Sequence, residues 1–368
     1  MEQGDAYGFT VSNCVGSPRL DIDLRKLHYN AHTLVGRFGV KGVSVTGMTK
    51  AVLGLPDVAK VLLDAGVCAL GDSRIENIET MRKAGIKAPI ILTRAPMISQ
   101  IESAVVSADI SFNTEIDVIC ALSDAAQKVG SVHGIVLMVE LGDLREGIMP
   151  DDVECIARKT LELPNIEFKG IGTNLACRSG VSPDAENMST LSALADSIDA
   201  IFGVEMEIVS GGNSANIGWA FSDADMGRVN NLRLGEAILL GRDPLTRTPI
   251  DGLYTDSFQV VAEVIESKVK PSQPWGKFAQ SAFGSPPENI DQGDIHQVLL
   301  AIGEQDIDQD GLTSPPNVKI LGVSSDHLIL NAGNSELSVG DEVTFQPNYS
   351  ALVRAATSPF VVKSIVHI

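Results

Sequence analysis

The chain of 368 residues is 44% hydrophobic, 20% charged and 5% aromatic, ordinary globular usage that excludes a fibrous or low-complexity protein. Lys+Arg 28 against Asp+Glu 47 leaves a formal charge of −19, which repels phosphate backbones and anionic lipid surfaces and so argues against nucleic acid or a membrane as partner. The same field favours a cationic small molecule.

From residue 19 to 245, short apolar runs alternate with longer segments of helical period, the pattern of β-α-β crossovers in a parallel sheet. Strands are predicted at Gly42–Thr49, Val67–Gly71, Ala88–Thr93, Ala108–Phe112, Gly134–Leu141, Phe168–Asn174, Met206–Ser210 and Leu232–Leu240. Between them Pro56–Ala65, Ile75–Ala84, Glu115–Val129, Asp151–Leu163 and Ala185–Phe202 place apolar residues at i, i+3 and i+4. Eight such strands fit a (β/α)₈ TIM barrel better than a doubly wound open sheet, which would use fewer over this length. Beyond Asp251 the texture becomes β-rich: Phe258–Val269, Gln297–Ile302, Val318–Leu321, Leu328–Leu330 and Glu342–Phe345, separated by Gly, Pro, Asn and Asp clusters. The expected division is an N-terminal extension (1–18), a barrel (19–245) and a C-terminal all-β domain (246–368). Pro271–Asp294, lying within the β pattern, reads as a long functional loop.

The five cysteines, Cys14, Cys68, Cys120, Cys155 and Cys177, are odd in number and widely spaced, with no C-x-x-C pair, which suits a reducing compartment. Met1–Asp5 has no cationic signal-peptide start, and no apolar run nears the ~18 residues of a membrane span. A cytoplasmic protein is expected. The six histidines, His28, His32, His133, His296, His327 and His367, show no metal-ligand spacing.

Barrels carry their chemistry at the carboxyl ends of the strands. The first strand runs into Lys50, an amine able to attack an aldehyde, though a solvated lysine past a strand is the plainer reading. The fifth is followed by Gly142-Asp143-Leu144-Arg145-Glu146-Gly147, a glycine-flanked guanidinium able to grip an anion. The seventh leads into Ser210-Gly211-Gly212-Asn213-Ser214-Ala215-Asn216, a turn with free N–H groups for a phosphate. The eighth carries Arg233. An amine, an anion grip, a phosphate nest and a second arginine at one mouth together suggest pyridoxal 5'-phosphate.

The chain resembles the alanine-racemase-type family of pyridoxal phosphate enzymes from about Leu20 onward, and within it the ornithine and basic amino-acid racemase branch. The phrases that carry the likeness are VELGDLREG (Val139–Gly147), GIGTNLAC (Gly170–Cys177), SGGNSAN (Ser210–Asn216), NNLRLGEAILLGR (Asn230–Arg242) and AIGEQDID (Ala301–Asp308). The resemblance implies that Lys50 holds the cofactor and serves as one base, that Arg145 lies near the cofactor phenolate and the substrate carboxylate, and that Arg233 faces the pyridine nitrogen. It also implies that Asn213, Ser214 and the backbone through Asn216 bind phosphate, with Asn174, Ser210 and Gly235 completing the cofactor set. Ser325 and Asp326, in the loop Gly322–His327, match the pair that meets the substrate carboxylate from a second subunit of a homodimer.

One departure matters. Relatives place a tyrosine as second base in the loop corresponding to Gln280–Gly284, where this chain has Phe283, and phenylalanine transfers no proton. The candidates are Cys177, activated by the neighbouring Arg178, then Ser281, Asp306 and Asp308; a buried, inert Cys177 is the competing reading. Asp143, Glu304, Asp306 and Asp308 are the carboxylates near matched phrases that a cationic side chain of the substrate could meet. The expected activity is racemisation of ornithine, lysine or arginine. Alanine racemisation, a non-catalytic cofactor carrier and a fold-related basic amino-acid decarboxylase are the alternatives; the last lacks its C-terminal cysteine motif, since every cysteine precedes residue 178.

Overall fold

The computed structural model describes residues 16–280 and 291–367. They form two compact units, one of Arg25–Thr255 and one joining the chain up to Leu24 with the chain from Asp256 onward. The expected boundaries at 18/19 and 245/246 thus differ from the division seen. The reason is β1 (Arg19–Asp23), which pairs antiparallel with β10 (Phe258–Pro271) and parallel with β16 (Val362–His367) of the second unit.

The first unit contains β2 (Ser44–Met48), β3 (Ala69–Asp72), β4 (Ile90–Leu92), β5 (Ile110–Asn113), β6 (His133–Val139), β7 (Ile166–Thr173), β8 (Ile208–Ser210) and β9 (Asn231–Leu234). Each is parallel to the next, and β9 pairs back onto β2 from Ser44↔Asn231 to Gly47↔Leu234, closing the barrel. A barrel strand is covered on both faces, by lumen side chains and by helices, so β6 is buried along its whole length instead of alternating. Ala69, Ile91, Ile110, Phe112, Val136 and Met138 pack into one cluster. The crossover helices follow from the sequence pattern. Ala185–Phe202 starts in a capping box of Asp184 and Asn187, ends at Gly203 with φ 64°, and buries Met188, Leu191, Ala195 and Ile198 on one stripe.

The predicted strand Leu232–Leu240 is a strand and a helix: β9 stops at Leu234, and Glu236–Leu240 is helical. The segment is mostly apolar and, apart from the half-buried Gly235 and Glu236, buried, so its periodicity does not separate the two.

The second unit is a sheet with an antiparallel path in the order β12 (Leu312–Thr313), β15 (Glu342–Pro347), β10 (Phe258–Pro271), β11 (Asp294–Leu300), β14 (Leu328–Asn331), β13 (Lys319–Val323), with β1 off β10 and β16 (Val362–His367) parallel on β1. It is strand-rich but not all-β, because Tyr349–Thr357 is a helix, capped by Asn348 and burying Ala351, Leu352, Ala355 and Ala356. Among the described residues no helix is long and apolar enough to cross a membrane.

Candidate active site

Lys50, Arg145, Asn174, Cys177, Ser210, Asn213, Ser214, Arg233 and Gly235 all lie at or just beyond the carboxyl ends of barrel strands. Lys50 opens a short 3₁₀ turn after β2. The residue before it is fixed: Thr49 is buried, and its Oγ1 donates to Asp72 Oδ2 at 2.7 Å. Asp72 also accepts from the Arg74 N–H and from Asn77 Nδ2 at 2.9 and 3.0 Å. Burial pushes the Asp72 carboxyl above its ordinary range, against the pull of these donors. The Lys50 side chain is exposed and, among the described residues, its ammonium is engaged by no hydrogen bond or ion pair.

Arg233 stands in the lumen, 4% exposed. Its guanidinium donates to Ser210 Oγ at 2.6 Å, Thr173 O at 2.8 Å and Asn174 Oδ1 at 3.2 Å, and lies 5.0 Å from the Phe112 ring centroid. Beneath it Ser210 Oγ donates to Asn231 Oδ1 at 2.9 Å, and Asn231 Nδ2 donates to Thr46 Oγ1 at 3.0 Å. Three adjacent strands are tied by one polar chain that sets the guanidinium's height. Desolvation, with Arg145 adding to it, pulls Arg233 down to about 10, so the residue keeps its proton at neutral pH.

The turn after β8 is shaped around Asn216, whose Nδ2 donates to Gly211 O at 2.9 Å. Gly212 has φ +140°, and a Cβ there would lie 2.3 Å from Asn216 Oδ1, so only glycine fits. Ser214 Oγ accepts from the Gly235 and Ala237 N–H groups at 3.3 and 3.2 Å. With both lone pairs facing donors, its own O–H is left to donate elsewhere. Asn213 Nδ2 donates to Asn174 Oδ1 at 3.1 Å, Leu175 O at 2.8 Å and Cys177 Sγ at 3.4 Å, linking the β7 and β8 loops.

The remaining contacts fix the loops after β6 and β7. Asp143 is fully buried, and its carboxylate accepts from the backbone N–H groups of Cys177 at 3.2 Å, Arg178 at 2.9 Å and Ser179 at 2.9 Å. Burial alone would raise its pKa, but these donors outweigh it and hold the carboxyl below the usual range. The Arg178 guanidinium turns to Leu144 O instead of the Cys177 thiol, so the expected activation of Cys177 by Arg178 is not what the geometry offers. Cys177 is exposed, follows Ala176 at φ 62°, and lies within electrostatic range of Arg145 and Arg233.

Of the acids proposed for a substrate cation, Asp143 is spent on backbone, and Glu304 pairs with Arg354 at 2.9 Å. Asp306 accepts from Ser358 Oγ at 2.6 Å, and Asp308 caps the Asp310 N–H at 3.3 Å. Asp326 accepts from Gln305 Nε2 at 2.5 Å, in the loop that also presents Ser325, whose carbonyl accepts from the Gln305 N–H at 3.2 Å. His327 keeps to its own loop, 3.3 Å from Ser324 Oγ. His133 begins β6 at the opposite barrel end, 2.8 Å from Ser111 Oγ, and burial pushes it down to about 4. Ser281 and Phe283 lie outside the described residues. The sequence offers Asp143 only as a candidate acid for the substrate cation; nothing in GDLREG says that it is buried under three N–H groups.

Asp143→Asn is expected to destabilise the fold by about 1–3 kcal/mol, the worth of hydrogen bonds to a charged acceptor. A group held below its unfolded pKa stabilises at pH above that value, about 3.9 for Asp, and loses the contribution as pH falls through the folded value. The gap between wild type and variant in urea unfolding should therefore be full at pH 7 and shrink below about pH 4.

A closed parallel barrel with a lysine, two arginines and a glycine-rich serine turn at one mouth defines a barrel enzyme with its polar groups gathered at the strand ends. Residues 22–243 match the family model "Alanine racemase, N-terminal domain", and the chain belongs to this family. It is 38% identical over 355 residues to the ornithine racemase of Acetoanaerobium sticklandii, covering 95% of this chain and 99% of that one. It is 37% identical over 349 residues to the lysine racemase of Thermotoga maritima, covering 94% and 98%. Among solved structures, the alanine racemase of Streptomyces coelicolor A3(2) superposes with a TM-score of 0.75 at 18% identity, covering 95% of this chain and 97% of that one. That last likeness concerns the fold alone.

Proposed function

We propose that the chain is a pyridoxal phosphate-dependent racemase of amino acids with basic side chains. The observation that carries this reading is the gathering at one barrel mouth of an unengaged lysine, two arginines and a hydroxyl with a free O–H. The near full-length relatives, an ornithine racemase and a lysine racemase, support the substrate class.

The residues fit the cofactor. Asn174 Nδ2, beside Arg233, is a buried donor with no hydrogen-bond partner, and an acceptor bound there would satisfy it. Gly212 lets Asn216 pack against the turn where a Cβ would strike its Oδ1. When bound, pyridoxal phosphate supplies an electron sink that stabilises negative charge at the Cα of an amino acid.

The chain's own groups divide the remaining work. Lys50 would hold the cofactor and would move a proton at the substrate Cα on one face. Ser214 O–H and the N–H groups of its turn bind the phosphate, and Asn213 and Asn174 tie that turn to β7. Arg145 binds the substrate carboxylate. Arg233, at about 10, would face the cofactor's pyridine nitrogen and, as a very weak acid, would keep its own proton there. Cys177 is the base on the other face; β7 stands three strands from β2 around the closed ring. Ser325 and Asp326 are proposed to complete the site from the partner in a homodimer, the strand-rich unit acting as the substrate-completing domain. The free thiols of Cys68, Cys120, Cys155 and Cys177 support a reducing, cytoplasmic setting.

The test is α-proton exchange in deuterated water across a panel of L-amino acids with cofactor-loaded protein. Ornithine, lysine or arginine should exchange and racemise fastest, with alanine slower. Bound cofactor without exchange from any amino acid would leave the carrier reading in place of the racemase.

A further inference from the structure

A substrate whose side chain carries a cation needs an anion at the barrel mouth. The strand-end loops that carry Lys50, Arg145 and Arg233, with the adjacent end of β3, present five acids: Asp72, Glu140, Asp143, Glu146 and Glu236. Four are committed to the protein's own architecture. Asp72 anchors Thr49 and Asn77, and Asp143 anchors the β7 loop. Glu140 accepts from the N–H groups of Gly142 at 2.6 Å, Leu144 at 3.0 Å and Arg145 at 3.2 Å. Glu236 pairs with Arg247 at 2.8 Å and lies within electrostatic range of Lys50. Glu146 differs: its two carboxylate oxygens take Arg145 Nε and Nη2, and it holds no backbone group.

The loop that presents Glu146 is rigid. The Glu140 N–H donates to Ile148 O at 2.9 Å and the Ile148 N–H to Met138 O at 2.8 Å, closing its base. Gly147 presses so closely on Glu140 that a Cβ would lie 2.4 Å from the Glu140 nitrogen. Leu144 sits at φ 53° and Gly142 at φ 116°. Glu146 is therefore a partly exposed carboxylate, its side chain 31% accessible, at a fixed place beside the arginine matched to the substrate carboxylate. Its charge also reaches Arg233.

We propose that Glu146 is the specificity-determining residue for the side-chain cation, exchanging its bond with Arg145 for one with the substrate. This rests on the racemase reading and names its substrate recognition. Arg145 leaves Glu146 for the α-carboxylate, and the freed carboxylate takes the side-chain ammonium or guanidinium. One ion pair becomes two, and no charge is left alone. With an uncharged side chain the same move leaves Glu146 without an ionic partner, a penalty that discriminates against alanine-like substrates. The device is an internal pair that only a doubly charged ligand can split without loss.

The experiment compares ornithine with norvaline, which has the same chain length and a methyl group in place of the ammonium. Binding by calorimetry and racemisation by chiral chromatography are measured on full-length, cofactor-loaded wild type, Glu146→Gln and Glu146→Asp. The ornithine-to-norvaline ratio, in Kd and in kcat/KM, should fall at least about tenfold in Glu146→Gln, one ion pair's worth in a partly desolvated site. Glu146→Asp should recover part of it, because charge is kept and reach shortened. An unchanged ratio with both ligands weakened equally would make Glu146 a mere support for Arg145 and overturn the proposal. So would an aspartate variant no better than the glutamine one. A ratio that falls in binding while no variant or wild type racemises either ligand would keep the Glu146 assignment and sink the racemase reading.

Discussion

Lys50→Ala is expected to remove both the visible absorption of protein supplied with pyridoxal phosphate and at least about a thousandfold of its racemisation, since covalent attachment and proton transfer are lost together. The substitution should spare the fold. The turn is held by Thr49 on Asp72 and by the Leu53 N–H on Lys50 O at 3.3 Å, with Leu53 at φ 55°. None of these uses the lysine side chain, and alanine suits a 3₁₀ turn. Unfolding midpoints should therefore match within about 0.5 kcal/mol, as for exposed substitutions that touch nothing. Absorption persisting through attachment to another lysine would displace Lys50 from the role. The same variant also tests assembly. Mixed with an equally inactive Asp326→Ala chain, it should regain activity if each site draws Asp326 from the partner, and no recovery after demonstrated subunit exchange would place the site within one chain.

Much of this arrangement was legible in the sequence because barrel strands announce themselves as continuous apolar runs and the chemistry follows each run directly. Lys50 stands one residue past a predicted strand, Arg145 and Ser214 four residues past theirs, and Arg233 within the last predicted strand. What escaped has physical causes. β1 joins its sheet through pairings with β10 and β16, contacts over more than two hundred residues that no local window reports. Leu232–Leu240 is mostly apolar and mostly buried, and its apolar residues, interrupted only by Arg233, Gly235 and Glu236, mark no single face by which to choose strand or helix. Asp143 and Glu146 stand three residues apart in one phrase and look alike as letters. One is buried under three N–H groups and the other half-exposed on an arginine. Only the fold of the loop, with Gly147 against Glu140, separates a structural acid from one free to exchange partners. The activation of Cys177 by Arg178 was inferred from adjacency, and adjacent residues in a loop need not face each other; Arg178 faces Leu144.

Cys177→Ala is expected to slow α-proton exchange from one enantiomer of ornithine by about a hundredfold or more while leaving the other nearly unchanged and the cofactor spectrum intact. The asymmetry must be sought in exchange and not in racemisation. L and D substrates have equal free energy, so kcat/KM for racemisation falls equally in both directions whichever base is removed. Exchange from a single face needs only that face's base, and Lys50 remains to serve the other. The thiol's setting makes the variant clean: its backbone N–H stays on Asp143 at 3.2 Å, and only the contact from Asn213 Nδ2 at 3.4 Å is lost, while Asn213 keeps Asn174 Oδ1 and Leu175 O. Cys177→Ser should be as slow as the alanine variant although it restores a partner for Asn213, because a hydroxyl is far less acidic than a thiol. If serine instead restored exchange, the side chain would matter as a hydrogen-bond acceptor and not as a base. A symmetric or negligible loss in both variants would return Cys177 to a packing role. The search would then pass to Ser281, since Asp306 is buried and already occupied by Ser358 and Asp308 by its cap.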